Sequence, residues 1–161
     1  VNPRGGVGAP TILPAGRSDL GAITALEAEA LGGAWSRESW AEELDSPRTG
    51  VLVARAAGDV VGVVALRHVE DVADLDRVIV RPDHRRGGLG RRLVGAGLAW
   101  AREVGAERVL LEVAAINAPA IALYDACGFN RVAERAHYYG PGQTALVLET
   151  SIATTHGGGD E

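Results

Sequence analysis

Hydrophobic positions change their spacing several times along the chain, and each change marks a new element. A short apolar run at Thr11 to Leu13 predicts a strand, and Ser18 then offers an N-cap to a helix carrying Ile23, Leu26, Ala30 and Leu31 on one side. Ser36 opens a second helical segment through Trp40 and Leu44, which Pro47 stops. Gly50 to Ala57 and Val60 to Val69 are β-rich runs, and Gly58-Asp59 between them predicts a hairpin turn. Asp74 to Val80 continues as a third strand closed by Pro82. From Gly90 to Val104 the period returns to that of a helix, with Leu93, Gly97, Leu98, Ala101 and Val104 near one face and Gly105 as the stop. Arg108 to Val113 is a compact apolar strand. Asn117 caps another helix with Pro119 in its tolerant first turn, and Gly128 ends it. Phe129 to Glu134 and Thr144 to Glu149 are the last strands.

The order β-α-α-β-β-β-α-β-α-β-β places strand-helix-strand units in the middle and hairpins on either side. That combination demands some parallel pairing within an otherwise antiparallel arrangement. The expected class is α+β, a mixed and mostly antiparallel sheet with flanking helices. A single domain is expected over residues 11–150. Gly- and Pro-rich residues 1–10 and the tail 151–161 are expected to be flexible, because they carry few apolar side chains to offset the entropy of ordering.

Composition narrows the function. The 161 residues are 47% hydrophobic and 4% aromatic, so the core rests on Val, Leu, Ile and Ala. A formal net charge of −5 argues against a general nucleic-acid binder and fits a cationic partner such as an amine or basic peptide. The lone Cys127 cannot form an internal disulfide, and its place before Gly128 suits a small buried residue better than a nucleophile. No segment approaches the roughly 18 apolar residues of a membrane helix, and no signal peptide is evident, so the cytoplasm is the expected location and no membrane partner is expected. The four histidines, His68, His84, His137 and His156, show no metal-ligand spacing, and no metal is expected.

Against this acidic background, Arg85-Arg86-Gly87-Gly88-Leu89-Gly90 stands between a strand and a helix, with Arg91 and Arg92 following. Glycines let the backbone turn tightly and approach a ligand, and free amides at a helix N-terminus make an anion site. Neither Gly-Lys-Ser/Thr nor G-x-G-x-x-G is present, so neither of the two best-known nucleotide loops applies. A plain glycine turn with solvated arginines is the competing explanation.

Val78-Ile79-Val80-Arg81-Pro82 followed by R-x-x-G-x-G at Arg85 to Gly90 resembles the acetyl-CoA motif of the GNAT N-acetyltransferase superfamily. The resemblance implies that the loop amides hold the pyrophosphate of acetyl-CoA, and that main-chain groups of Val78 and Val80, with Ile79 between them, pair with the pantetheine arm.

Two further residues could carry acid–base chemistry. Glu112 is the one ionisable residue in the apolar run Val109 to Ala114, where desolvation would raise its pKa and make it a better base; an outward-facing strand-end acid is the alternative. Tyr124 lies seven residues after Asn117, on nearly the same helical face, and its phenol could protonate a leaving thiolate; a core tyrosine is the alternative. Leu111-Glu112-Val113, Asn117, Ala120 to Tyr124, Gly128-Phe129 and Tyr138-Tyr139, with Trp35-Ser36 to Leu44, resemble the ribosomal-protein alanine N-acetyltransferases over roughly Thr11 to Glu149. That likeness implies Glu112 as base, Tyr124 as acid, Asn117 at the cofactor, and Trp35, Tyr138 and Tyr139 at an acceptor that is the α-amine of a protein or peptide. Alternative acceptors are a lysine side chain or a small amine, and a third reading is a non-catalytic acyl-CoA sensor. Two departures from the family pattern bear on the acceptor. Asp76-Arg77 replaces uncharged residues close to where substrate should enter, and the turn after Tyr138-Tyr139 lacks an acid.

Overall fold

The computed structural model describes residues 8–153. Its elements are β1 (Thr11–Pro14), a 3-10 turn (Arg17–Asp19), α1 (Leu20–Leu31), α2 (Arg37–Asp45), β2 (Thr49–Ala56), β3 (Asp59–Val69), β4 (Val72–Val80), a 3-10 turn (Pro82–His84), α3 (Leu89–Glu103), β5 (Arg108–Ala114), α4 (Ala118–Ala126), β6 (Asn130–Gly140) and β7 (Gln143–Ser151). The expected order of elements holds throughout. The segments expected to be flexible lie outside the described residues over 1–7 and 154–161. Within the segment expected as tail, β7 runs through Ser151 and Ile152 is buried, so the ordered fold extends past residue 150.

The strands form one sheet in the order β1-β2-β3-β4-β5-β7-β6, and every neighbouring pair is antiparallel except β4 with β5. The exception follows from the chain path: α3 carries the chain back across the sheet, so β5 must start at the same end as β4. Helices cover both faces. Ile23, Leu26 and Trp40 of α1 and α2 pack on Val51, Val53, Val63 and Ile79; Leu93, Val94 and Ala101 of α3 pack on Leu52, Val64, Leu66, Val109 and Leu111. Burial from both sides explains why Val60 to Leu66 reads as a nearly unbroken apolar run.

Close approach of α3 to the sheet depends on two glycines. A Cβ at Gly97 would lie 2.8 Å from Leu66 Cδ1, and one at Gly62 would lie 2.8 Å from Leu93 Cδ1. Leu66 and Leu93 fill the space these glycines leave.

Four local expectations need correction. The β2–β3 hairpin turns at Ala57-Gly58, not Gly58-Asp59: Ala56 pairs with Asp59, and both turn residues have positive φ (52° and 86°). Two left-handed residues are what a two-residue turn requires to match strand twist. Ser18 lies inside the first 3-10 turn and caps nothing; the Asp19 carboxylate accepts from the Gly16 N–H at 2.8 Å instead. Val104 is largely exposed at the end of α3, and Leu31 is exposed at the end of α1. Ser36 and Asn117 cap as expected, Ser36 accepting from Ser39 N–H at 3.1 Å and Asn117 from Ala120 N–H at 3.2 Å.

Ala57 holds a left-handed conformation that costs a residue with a Cβ about 1 kcal/mol or more relative to glycine. Ala57→Gly should raise Tm by about 2–4 °C, the shift that ~1 kcal/mol produces in a chain of this size; differential scanning calorimetry measures it directly.

Candidate active site

Only three residue pairs join β4 to β5: Val72 with Arg108, Ala73 with Val109 and Asp74 with Leu110. Beyond them the strands part, and each keeps its other partner: β4 remains paired to β3 as far as Val80, and β5 to β7 as far as Ala114. Arg81 N–H donates to Val61 C=O at 2.8 Å. By the alternation of an antiparallel ladder, the main-chain polar groups of Val78 and Val80 therefore point away from β3, into the gap. Arg85 Nε donates to the Val80 carbonyl at 3.2 Å, tying the loop after β4 to this free edge.

A cleft of about 340 Å³ opens there. One wall is apolar, made by Val78, Ile79 and Val80 of β4, Pro119, Ala120 and Leu123 of α4, and Leu31. The other end is cationic, where Arg85, Arg86 and Arg91 surround Gly88, Leu89 and Gly90. Arg86 (φ 72°) and Gly88 (φ 80°) are both left-handed, which turns loop amides toward one side at the start of α3. A Cβ on Gly87 or Gly88 would meet nothing, so the loop is open to a ligand. Cations and free amides at one end with an apolar channel at the other suit an anionic head joined to an extended, weakly polar arm.

The second cleft, of about 600 Å³, is polar, and β4 contributes to it through the preceding residues, Asp74 to Arg77. Glu112 on β5 and Tyr138 and Tyr139 on β6 close it. The two tyrosines sit in an arch: β6 leaves its ladder after Arg135, resumes at Gly140, and passes through His137 at φ 58°. His137 Nδ1 accepts from Gly142 N–H at 2.7 Å, closing the arch. Tyr138 and Tyr139 pack edge to face with centroids 5.1 Å apart.

Residues 20–129 match the Acetyltransferase (GNAT) family. The chain belongs to this family. It is an N-acetyltransferase by that membership. The ribosomal protein bS18 alanine N-acetyltransferase of Escherichia coli K12 is 33% identical over 122 residues, 76% of this chain and 82% of that one. An N-alpha-acetyltransferase of Sulfurisphaera tokodaii is 32% identical over 124 residues, 69% of this chain and 74% of its own. The crystal structure of the E. coli ribosomal-protein-S18-alanine N-acetyltransferase superposes with a TM-score of 0.83 at 29% identity, covering 92% of this chain and 97% of that one.

The sequence-derived site residues of this acetyltransferase fall into three places. Val78 to Val80, Arg85, Arg86, Gly88, Leu89, Gly90 and Arg91 gather at the first cleft. Glu112, Tyr138 and Tyr139 gather at the second, with Trp35 stacked on the cleft residue Arg77 at 4.8 Å. Gly87, Asn117 and Tyr124 line neither cleft. Tyr124 sits beside the α4 wall residue Leu123, half-buried with its ring edge-on to Phe129 at 5.8 Å, and burial pushes its phenol up to about 12. It is protonated at neutral pH.

Glu112 does not meet the expectation of a desolvated strand-end base. It alternates with buried Leu111 and Val113, so its side chain points to the open face; it is 33% exposed and paired with Arg135 at 3.3 Å. The desolvated cleft acid is Asp76. β4 bulges here, Leu75 pairing with Leu66 and Arg77 with Ala65, so Asp76 is the unpaired extra residue. Burial pushes its carboxyl up to about 6, opposed by Arg67 and Arg77 and reinforced by Asp74 and Glu43.

Glu27 of α1 was also invisible as a site element. It is fully buried, its Oε1 accepting from Arg77 Nε at 3.0 Å, while Oε2 has no partner among the described residues. Arg77 Nη2 lies 2.9 Å from the same Oε1 but out of hydrogen-bond alignment. The signal in the sequence is Glu27 four residues after Ile23, on the apolar side of α1.

Removing Arg77 strands that buried carboxylate. Arg77→Met should cost ~3–5 kcal/mol of stability, and adding Glu27→Met should restore most of it; urea unfolding of both variants tests the pairing. Asp76 acts in the opposite sense. Its folded pKa lies above the ordinary 3.8, so its stabilising effect is present below pH 4 and is lost as pH rises through about 6. Asp76→Asn should therefore raise Tm at pH 8 by about 2–4 °C, and the gain should vanish by pH 4.

Proposed function

We propose that this acetyltransferase moves the acetyl group of acetyl-CoA onto the N-terminal α-amine of a ribosomal or other protein, in a ternary complex. The observation that carries this reading is the division of labour along β4. Residues 78–80 face the cationic and apolar cleft, while residues 74–77 face the polar cleft under Tyr138 and Tyr139. A thioester held in the first and an amine held in the second would meet where β4 leaves β5.

The loop amides with Arg85, Arg86 and Arg91 suit the pyrophosphate of acetyl-CoA, and the outward main-chain groups of Val78 and Val80 suit its amide-bearing arm. Donors on that same edge would stabilise the oxyanion that forms as the amine attacks. Glu112, directly or through a water, takes a proton from the acceptor nitrogen. Tyr124 gives its proton to the departing thiolate. Asn117, already engaged as the α4 cap through Oδ1, has its amide NH2 left to offer the cofactor. Trp35 and the tyrosine arch form the acceptor wall. The bS18 and N-alpha-acetyltransferase relatives favour a protein terminus as the acceptor.

A panel of peptides with free N-termini, lysine peptides with blocked N-termini, and polyamines, each with acetyl-CoA, tests the acceptor. Transfer should be fastest to a free α-amine. Transfer confined to lysine or polyamine replaces the reading with a side-chain or small-amine acetyltransferase, and acetyl-CoA binding with no transfer replaces it with a sensor. Gly88→Val, at a left-handed position, should weaken acetyl-CoA binding at least 10-fold (roughly 1.4 kcal/mol) by calorimetry. Tyr124→Phe should lower kcat about 100-fold with acetyl-CoA affinity unchanged; a loss confined to affinity would reassign Tyr124 to packing.

A further inference from the structure

The second cleft is lined by three arginines and three acids, but their pairing leaves one acid over. Its three arginines each have a carboxylate: Arg67 pairs with Asp74 at 3.2 Å, Arg77 with the buried Glu27 at 2.9 Å and Arg135 with Glu112 at 3.3 Å. Of the three acids that line the cleft, Asp74 and Glu112 are thus engaged. Asp76 has no ion pair or side-chain hydrogen bond among the described residues. It is a carboxylate without a paired cation, in a cleft of about 600 Å³.

Its placement is set by the backbone. Continuing the β4–β5 register two residues past Asp74 and Leu110 would set Asp76 opposite Glu112. Before the bulge, Ala73 and Leu75 pack toward α3, so Asp74 and Asp76 point to the opposite face; on β5, Leu111 and Val113 pack toward α3, so Glu112 points to that face too. The two acids therefore flank the point where the strands separate, on the same side of the sheet.

We propose that Asp76 is the seat of the acceptor's ammonium group and takes its first proton. This rests on the acetyl-transfer reading above. The ammonium supplies the cation Asp76 lacks. The proton passes from nitrogen to the Asp76 carboxylate, leaving a neutral amine whose lone pair forms the C–N bond to the thioester carbon. Glu112 takes the second proton from the nitrogen as the C–S bond breaks, Tyr124 protonates the sulfur, the Glu112 proton passes through solvent to the Tyr124 phenolate, and the Asp76 proton is released to water. An α-amine has a pKa near 8, so an acid held near 6 accepts its proton more readily than an ordinary aspartate does. Burial sets this value first, and the charges acting on it are Arg67 on β3, Asp74 and Arg77 on β4 and Glu43 on α2; Glu112 and Arg135 line the same cleft.

The test compares wild type, Asp76→Asn and Asp76→Glu on the best α-amine peptide of the panel at saturating acetyl-CoA. Wild-type kcat/KM should fall on an acidic limb near pH 6. Asp76→Asn should lose about 100-fold or more in kcat/KM, lose that limb, and bind acetyl-CoA unchanged, while Asp76→Glu restores part of the rate. A limb that survives in Asp76→Asn, or a loss carried by KM alone, overturns the proposal. A second readout does not need turnover. Alaninamide added to the CoA-bound wild type should move the Asp76 carboxyl titration downward by 13C NMR. An unmoved titration overturns the seat. An inert peptide panel combined with a moved titration faults the transfer reading and upholds the seat.

Discussion

β4 and β5 run parallel for three residue pairs and then separate, and the site is built from what that separation leaves unpaired. A strand in the middle of a sheet normally spends both edges on ladders. Here β4 spends one on β3 and turns the amides and carbonyls of Val78 and Val80 into a gap. Exposed backbone groups there have to be met by something, and the loop begins to do so through Arg85 on the Val80 carbonyl. The α4 wall, the glycine loop and the tyrosine arch are all placed relative to this gap.

The charges around it divide in the same way. Arg85, Arg86 and Arg91 at the first cleft have no ion pair among the described residues, so their field is available to an anion. Arginines at the second are each tied to an acid. One chain with a net charge of −5 thus presents a positive end and a nearly neutral pocket with one surplus acid, within a few residues of β4. The net charge reports none of this; only the pairing does.

Local chemistry was legible in the sequence because it depends on neighbours in the chain. The eleven-element order, the Ser36 and Asn117 caps, and the loop from Arg85 to Gly90 all follow from short-range rules. What was missed depends on long-range geometry. Glu112 read as partly desolvated, with an outward-facing acid as the alternative, because its strand neighbours are apolar; the far face of β5 opens where β4 departs and the alternative holds. Asp76 read only as a departure from a family pattern, because a bulge changes which face a residue takes and leaves no mark in composition. Glu27 and Arg77 are 50 residues apart and meet only after α1 docks on the sheet. The extent of β6 was also missed: a strand exposed along almost its whole length lacks the apolar alternation that reveals one.

The arch from Ala136 to Tyr139 is anchored to the ladder at Arg135 and Gly140 and unpaired between them. Inserting residues into such a stretch costs only loop-closure entropy, about 0.6 kcal/mol for each doubling of length. The first cleft has no such slack, since its backbone is fixed by β3, by the start of α3 and by Gly88, whose left-handed φ a Cβ would strain. The two halves therefore tolerate change unequally. Under the proposed reading, rewriting the four arch residues of β6 would exchange one acceptor for another while the first cleft stays as it is, so duplicated copies could diverge in whom they modify without relearning how.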